Sequence, residues 1–187
     1  MRIIGGYFKG KKILVPKDKE TRPLKDLTKE SIFNLLNHSN KFKVTIENSI
    51  ILDLFSGVGS FGIECLSRGA GHVTFIENYS GVLPILKKNL SNLKIIEKYE
   101  VIDQNLLSNF DFEIILKKFD IIFLDPPYKE KKLNSLIDNI HDNKILKNNG
   151  LLIIHRHKKE KDQFSKNFKI LEQRQYGISK ILFGTLN

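Results

Sequence analysis

The residue types best suited to chemistry in this sequence lie together in the segment Asp125-Pro126-Pro127-Tyr128. It follows the apolar run 119–124, which is typical of a strand covered on both faces of a sheet. Two successive prolines give a rigid loop whose carbonyl groups point outward, because proline fixes its backbone angle and lacks an N–H group. Asp125 and the Pro126 carbonyl offer two hydrogen-bond acceptors, and Tyr128 offers an aromatic face. This set predicts a site for a planar nucleobase that carries an exocyclic amine.

Methyl transfer is one reaction that such a site could perform on the exocyclic amine. It requires alignment of the amine with the methyl donor rather than a nucleophilic triad. The amine attacks poorly because its lone pair is delocalised into the ring, and two acceptors can localise that pair and aim it at a sulfonium methyl group. A nearby acceptor must also take the proton as it leaves. The alternative is a tight proline turn that only ends a core strand. The candidate catalytic residues are Asp125, Pro126, Pro127 and Tyr128.

A second motif, the glycine turn, begins after an apolar run at 50–52 and precedes a predicted helix. It contains Gly57, Gly59 and Gly62 in the spacing G-x-G-x-x-G, and Glu77 follows about twenty positions downstream. Glycines allow a tight turn and a close approach of a ligand, and an acidic residue at that distance can bind ribose hydroxyls. These features suit NAD as well as S-adenosyl-L-methionine, so the turn alone does not choose between the two cofactors.

Three further observations favour S-adenosyl-L-methionine. Asp53 lies four residues before the first glycine, where a carboxylate could meet the methionine amine but would repel a pyrophosphate. The turn comes after some fifty residues instead of opening the domain. The apolar run 119–124, a predicted strand, ends in the Asp125 loop, which a dehydrogenase does not need.

Strand-like and helical patterns alternate from residue 49 onward, which predicts an α/β fold with a mostly parallel, doubly wound sheet. A short turn at 176–177 predicts an antiparallel hairpin at the C-terminus. The predicted strands lie at 50–52, 72–76, 99–102, 119–124, 150–154, 168–174 and 178–184, and the predicted helices at 60–68, 80–92 and 131–142.

The N-terminal part carries a different pattern. Glycines and an apolar stretch within 1–20 predict a small hairpin, and the spacing of apolar residues over 24–37 predicts an amphipathic helix that begins after Pro23. We therefore expect an RNA-contacting extension over 1–40, packed on a main domain over 41–187.

The charge balance points to a polyanionic partner. Thirty-one Lys and Arg residues against twenty-one Asp and Glu residues give a net charge of +10. Cys65 is the single cysteine, which excludes an internal disulfide and fits a reducing compartment. The sequence lacks a secretory signal and a membrane-length apolar run, so we expect a cytoplasmic protein with no membrane partner.

Several blocks in order resemble one known family. Asp53 to Gly62 and Asp125 to Tyr128 resemble the class I methyltransferases that act on amino groups of bases. The blocks at 2–6, 9–12, 22–23 and 30–36 are similar to the RsmD family, bacterial enzymes that methylate N2 of a guanine in small-subunit ribosomal RNA. The resemblance runs from about residue 2 to 128. It implies a Rossmann-like fold, S-adenosyl-L-methionine as cofactor and 16S ribosomal RNA or the small ribosomal subunit as partner. Separately from the resemblance, we expect a monomer.

The resemblance also implies residue roles. Asp53, Gly57 and Gly59 would line the methionine portion of the cofactor, Glu77 its ribose, and Asn105 would lie near the adenine. Asp125 and Pro126 would hold the target amine, and Tyr128 would stack on the base. The full cofactor set is Asp53, Phe55, Gly57, Gly59, Glu77, Asn78 and Asn105. The candidate RNA-binding residues are Arg2, Lys9, Lys11, Lys12 and Arg22.

Other interpretations stay open at this point. The loop chemistry serves N6 of adenine, in DNA or RNA, as well as N2 of guanine. A non-catalytic RNA-binding assembly factor and an NAD-dependent dehydrogenase are the remaining alternatives. The basic segment 155–159 indicates either an RNA contact or a solvated surface run. A metal site at His155 and His157 lacks carboxylate or cysteine partners, so no metal is expected.

Overall fold

The computed structural model describes residues 1–16, 24–108, 110–127 and 130–187, which build a seven-stranded sheet flanked by helices. The strands are β1 (Ile50–Leu54), β2 (His72–Glu77), β3 (Tyr99–Asp103), β4 (Phe119–Leu124), β5 (Leu146–His157), β6 (Phe168–Tyr176) and β7 (Ser179–Leu186). The helices are α1 (Asp26–His38), α2 (Ser60–Ser67), α3 (Leu83–Ser91) and α4 (Leu133–Asp142), with short 3₁₀ turns at Ile96–Lys98 and Phe112–Ile114.

The strand order is β3-β2-β1-β4-β5-β7-β6. The first five strands run parallel, and β7 is antiparallel to both of its neighbours, β5 and β6. The predicted Rossmann-like sheet and its C-terminal antiparallel hairpin are therefore confirmed.

Two elements depart most from their predicted bounds, each for a physical reason. The strand expected at 150–154 is longer, because β7 pairs with β5 as far as His157. The helix expected at 80–92 begins only at Leu83, where Pro84 occupies the first turn. A proline is tolerated there because the first N–H groups of a helix have no partner inside the helix.

Alternation along β4 explains why helices cover both faces of the sheet. Ile121 and Phe123 pack into the apolar cluster that includes residues of α1, α2 and α3. Ile122 and Leu124 pack into the cluster that includes α4. Because successive side chains of a strand point to opposite faces, an all-apolar strand must be covered on both of them.

The N-terminal segment pairs with itself and packs on the core. An antiparallel bridge joins Arg2 to Lys12, and the N–H of Ile3 donates to the carbonyl of Lys11 over 2.9 Å. This confirms a hairpin within residues 1–13, whereas 17–20 and Pro23 lie outside the described residues. The boundary at residue 40 stays a prediction. No helix in the described ranges is both long and apolar enough to cross a membrane.

A buried ion pair anchors that hairpin. The side chain of Lys29 is fully buried, and its Nζ donates to the carbonyl of Arg2 over 2.8 Å and lies 3.6 Å from Oε2 of Glu64. Burial lowers the pKa of Lys29, and the charge of Glu64 opposes this shift. Glu64 also accepts hydrogen bonds from the N–H of Ile4 and from Nε of Arg68. The buried ammonium group of Lys29 therefore has a carbonyl and a carboxylate as partners.

Candidate active site

Strand register brings three carboxylates to the carboxyl edge of the sheet. β1 lies between β2 and β4 in parallel register. Asp53 is the penultimate residue of β1, Glu77 is the last residue of β2, and Asp125 directly follows β4. The N–H of Asp125 donates to the carbonyl of Leu54 over 3.3 Å, which fixes the start of the loop against β1. Ligands of open α/β sheets bind at this edge, so the two sequence motifs face one crevice.

Asp53 carries the clearest sign of a missing partner. It is 1% exposed, and its Oδ2 accepts a hydrogen bond of 2.9 Å from the N–H of Gly62. Its Oδ1 is buried without a hydrogen-bond partner among the described residues. Desolvation raises the pKa of Asp53 well above its usual range, against the bond from Gly62, and the charges of Asp125 and Glu77 raise it further. An unpaired buried carboxylate oxygen is costly, so this atom indicates a cationic ligand group.

The glycine turn leaves room for a ligand on one side and for a helix on the other. Gly57 and Gly59 have φ of 54° and 83°, a region that glycine occupies without strain. A Cβ added at Gly57 would meet nothing within 4 Å, so the turn is open there. A Cβ at Gly62 would lie 2.3 Å from the ring of Phe75, so this glycine lets α2 pack against β2.

Glu77 holds the glycine turn in addition to its predicted role at the ribose. Its Oε2 accepts from the N–H of Gly57 over 2.8 Å, and its Oε1 accepts from the N–H groups of Asn78 and Tyr79, both over 2.8 Å. The carboxylate thus joins the end of β2 to the turn that follows β1. The ribose contact itself stays a prediction, and the bond to Gly57 was not foreseen from the sequence.

The other predicted cofactor residues occupy the same edge of the sheet. Phe55 is half-buried and has φ of 58°, an uncommon conformation for a bulky residue. Asn78 is exposed directly after β2. Asn105 is exposed after β3, and its Oδ1 accepts from the N–H of Leu107 over 2.8 Å. Their contacts with a cofactor stay predictions.

A histidine that the sequence analysis considered only as a metal ligand or as part of a basic segment contacts the predicted catalytic aspartate. Nδ1 of His155 lies 2.7 Å from Oδ1 of Asp125, and its Nε2 lies 2.9 Å from Oγ of Ser179. His155 is only 5% exposed. Because Leu124 of β4 pairs with Ile154 of β5, the next residues of the two strands are neighbours. His155 directly follows the predicted strand 150–154, as Asp125 follows 119–124, and this placement was the signal that a sequence-based argument could have used.

The side chain of Arg156 holds the proline loop through hydrogen bonds to backbone carbonyls. Nη1 of Arg156 donates to the carbonyl of Pro127 over 3.2 Å, and Nη2 donates to the carbonyl of Glu130 over 3.3 Å. The prediction that both proline carbonyls point outward is therefore wrong for Pro127. Within the described part of the chain, no donor contacts the carbonyl of Pro126. Tyr128 lies outside the described residues.

The interpretation of 155–159 as a solvated basic run is wrong for its first two residues. His155 and Arg156 are 5% and 1% exposed. His155 contacts Asp125 and Ser179, whereas Arg156 contacts the carbonyls of Pro127 and Glu130. Arg156 also forms an ion pair with Asp162, with Nη2 2.8 Å from Oδ1. Lys158 and Lys159 are exposed, and an RNA contact by these two residues stays a prediction.

The predicted RNA-binding residues lie on the surface of the N-terminal hairpin. Arg2, Lys9, Lys11 and Lys12 are all exposed, and Arg22 lies outside the described residues. The sequence interpretation missed Tyr7, which is 90% exposed at the same hairpin. Exposed aromatic rings among lysines are typical of surfaces that stack on unpaired bases.

Asn89 of α3 connects this hairpin to the glycine turn. Its Oδ1 accepts from the N–H of Leu14 over 2.8 Å, and its Nδ2 donates to the carbonyls of Leu14 and Val58 over 3.0 and 3.1 Å. The amide is 4% exposed, so the contact is shielded from water. The hairpin therefore ends beside the crevice rather than on a remote face.

The described residues fit S-adenosyl-L-methionine. The free Oδ1 of Asp53 suits the methionine ammonium, the open side of Gly57 allows close approach, and the carboxylates nearby suit a cationic sulfonium. The fold and this site define a Rossmann-like, S-adenosyl-L-methionine-dependent methyltransferase. The family model described as conserved hypothetical protein 95 matches residues 1–185, and the chain belongs to this family, the RsmD family.

Known proteins with similar sequences and structures agree with that class. The Haemophilus influenzae protein named Ribosomal RNA small subunit methyltransferase D is 36% identical over 95% of this chain and 90% of its own length. A solved Escherichia coli structure, provisionally named a methyltransferase, has a TM-score of 0.80 at 28% identity and covers 100% of this chain and 98% of its own. A Haemophilus influenzae structure, provisionally named a methylase, has a TM-score of 0.73 at 34% identity with the same coverage.

The raised pKa of Asp53 predicts that cofactor affinity falls as the pH is lowered. An ammonium group favours the ionised carboxylate, so binding must release the proton that the raised pKa retains. Asp53→Asn keeps an acceptor for the N–H of Gly62 but removes the charge, and we expect an affinity loss of about 10-fold to 100-fold with a flattened pH dependence. Calorimetric titration with S-adenosyl-L-methionine between about pH 5 and 8 measures both quantities.

Asp142→Asn is the matched control for that titration, because its side chain is 68% exposed at the end of α4. It should leave both the affinity and the pH slope unchanged. An Asp53→Asn protein whose slope equals that of the wild type would contradict the assignment of Asp53 to the ammonium group.

Proposed function

We propose that the chain transfers a methyl group from S-adenosyl-L-methionine to the exocyclic N2 amine of a guanine in 16S ribosomal RNA. The observation that carries the proposal is the position of Asp125. Its carboxylate stands at the end of β4, facing the same crevice as the free oxygen of Asp53 and the glycine turn. The Haemophilus influenzae relative, named as a small-subunit ribosomal RNA methyltransferase, supports the choice of RNA.

The protein contributes alignment and a proton acceptor. S-adenosyl-L-methionine, when bound, supplies an electrophilic methyl group on its sulfonium. Asp125 and the carbonyl of Pro126 hold the amine and localise its lone pair on nitrogen. As the N–C bond forms and the S–C bond breaks, the nitrogen becomes positively charged, and Asp125 accepts the proton that it loses. Tyr128 stacks on the base that has been turned out of its helix.

The exposed hairpin supports an RNA substrate through its charge and position. It carries exposed lysines and the exposed ring of Tyr7, and Asn89 ties the segment to the glycine turn. RNA bound to this hairpin through its phosphates would approach the crevice from the side of the glycine turn. We further propose that the enzyme is a monomer, that it acts in the cytoplasm, and that its substrate is 16S ribosomal RNA or the small ribosomal subunit.

Mapping of the methylated nucleotide tests the proposal. The protein is incubated with labelled S-adenosyl-L-methionine and either naked 16S ribosomal RNA or small ribosomal subunits, and the labelled nucleoside is identified by mass spectrometry. N2-methylguanosine at one position is the expected product. Label on N6 of adenine would instead show an adenine N6-methyltransferase. RNA binding without any methyl transfer would show a non-catalytic assembly factor.

Charge reversal on the hairpin should weaken RNA binding and reduce its dependence on salt. Each lost phosphate contact lowers the slope of log affinity against log salt by about 0.7 to 0.9. The triple variant Lys9→Glu, Lys11→Glu, Lys12→Glu should therefore lower the slope by about 2 to 3. Filter binding of 16S ribosomal RNA at several salt concentrations provides the measurement.

The chain offers a control with the same change in charge. Lys98, Lys118 and Lys144 are exposed and precede the amino ends of β3, β4 and β5, at the sheet edge opposite to the crevice. Their reversal to Glu should leave the slope close to that of the wild type. Equal slopes for the two triple variants would show that the hairpin makes no phosphate contacts.

A further inference from the structure

The predicted catalytic carboxylate is held by a buried imidazole. Oδ1 of Asp125 lies 2.7 Å from Nδ1 of His155, and the imidazole is held from its other side by Oγ of Ser179, 2.9 Å from Nε2. His155 and Ser179 are each 5% exposed, whereas the side chain of Asp125 is 21% exposed. The carboxylate thus lies at the boundary between a buried polar pair and the open crevice.

The protonation of this pair follows from hydrogen-bonding rules. An ionised carboxylate only accepts hydrogen bonds, so the proton of a neutral imidazole must lie on Nδ1. Nε2 is then an acceptor, and the hydroxyl of Ser179 can donate to it because a hydroxyl group rotates to suit its partner. Contacts at both ring nitrogens prevent the imidazole from turning and fix the tautomer.

One oxygen of Asp125 is occupied by this contact and the other is left for the substrate. Among the described residues no donor reaches Oδ2 of Asp125, and the side chain is partly open to the crevice. Without the hydrogen bond to His155, the carboxylate would rotate about its side-chain torsions, and this rotation would misalign the amine with the methyl group. Small misplacements of a reacting group cost large factors in rate.

We propose that His155 is a positioning residue that, together with Ser179, fixes the tautomer and orientation needed for Asp125 to present Oδ2 to the amine. This role rests on the proposed function, because it requires Asp125 to contact the amine. Neither ring nitrogen is left for a metal ion, which separates this role from the metal site considered for His155 and His157.

Two conservative substitutions separate positioning from general structural support. In Asn the amide nitrogen occupies the place of Nδ1, so His155→Asn keeps a donor for Asp125. In Gln the amide reaches the place of Nε2, so His155→Gln keeps a partner for Ser179 but loses the donor to Asp125. We expect kcat to fall by about 10-fold to 100-fold in His155→Gln and to stay within about threefold of the wild type in His155→Asn. KM for RNA and Kd for S-adenosyl-L-methionine should change little in both variants.

A spectroscopic measurement tests the same claim in the unmodified protein. Long-range ¹H–¹⁵N spectra of protein with labelled histidine should show His155 protonated on Nδ1, and this signature should change in Asp125→Ala. His141→Asn serves as the control variant, because His141 contacts Asp142 and the carbonyl of Asn187 at the far end of α4. It should leave kcat, KM and the His155 signals unchanged.

The outcomes distinguish this inference from the proposed function. Equal kcat values for His155→Asn and His155→Gln, or a wild-type imidazole protonated on Nε2 alone, would overturn the positioning role even if Asp125→Ala is inactive. Full activity of Asp125→Ala would instead overturn the use of Asp125 in the proposed function. If both His155 variants fail to fold, the tautomer measured in the wild type still decides the inference.

Discussion

Asp125→Ala should lower kcat for methyl transfer by about 10²-fold to 10⁴-fold, because the substitution removes both an acceptor for the amine and the base that takes its proton. Kd for S-adenosyl-L-methionine should change by no more than about twofold, since Asp125 is assigned to the base and not to the cofactor. Single-turnover methylation of RNA with saturating cofactor measures the chemical step, and calorimetric titration measures the binding.

Asp125→Ala should also lower the stability of the protein. Removal of the carboxylate takes away the hydrogen bond between Asp125 and Nδ1 of His155, in a site that is 5% exposed. Loss of one partner of a buried hydrogen bond costs about 1 to 3 kcal/mol in the free energy of unfolding. Asp125→Asn, which keeps an acceptor for Nδ1, should restore the stability but not the activity. Substantial turnover by both variants would contradict the assignment of Asp125 as the catalytic acceptor.

Arg156→Leu should cause the largest loss of stability among the changes considered. The side chain of Arg156 is 2% exposed, and its ion pair with Asp162 has an Nη2–Oδ1 distance of 2.8 Å. Removal of one partner of a buried ion pair typically costs about 3 to 5 kcal/mol, because the remaining charge stays buried without compensation. Lys180, whose Nζ lies 3.4 Å from Oδ2 of Asp162, offsets part of this cost, so we expect about 3 kcal/mol. Urea unfolding monitored by circular dichroism gives the value.

Arg156→Leu also removes the donors that hold the carbonyls of Pro127 and Glu130, so kcat should fall in the fraction that remains folded. Arg156→Lys keeps the charge but not the planar set of donors, and it should restore part of the stability while leaving the loop poorly held. Arg174→Leu is the control, because its side chain is 50% exposed on β6 and its partner Glu172 keeps an ion pair with Lys41. If the Arg156→Leu protein were as stable as this control, the contacts of Arg156 would contribute nothing to the free energy of unfolding.

Much of the fold was predictable because its signals are local. The all-apolar strand β4, the glycine turn and the alternation of strands with helices each follow from short stretches of sequence. The parallel sheet then places Asp53, Glu77 and Asp125 at one edge without any further information. The ends of helices and strands were predicted less accurately than the elements themselves. Pairing with β7 extends β5, and the proline in α3 sets where that helix begins.

The sequence by itself determined the reaction class, because a glycine turn and a proline loop at parallel strand ends define one crevice for a cofactor and a planar base. Only the tertiary structure decided what supports these motifs. Polar and charged residues such as His155, Arg156 and Lys29 are typical of surfaces, and they are buried here because partners distant in sequence satisfy each one. Burial of such a side chain depends on those partners and on strand register, and neither is encoded in the residues that flank it.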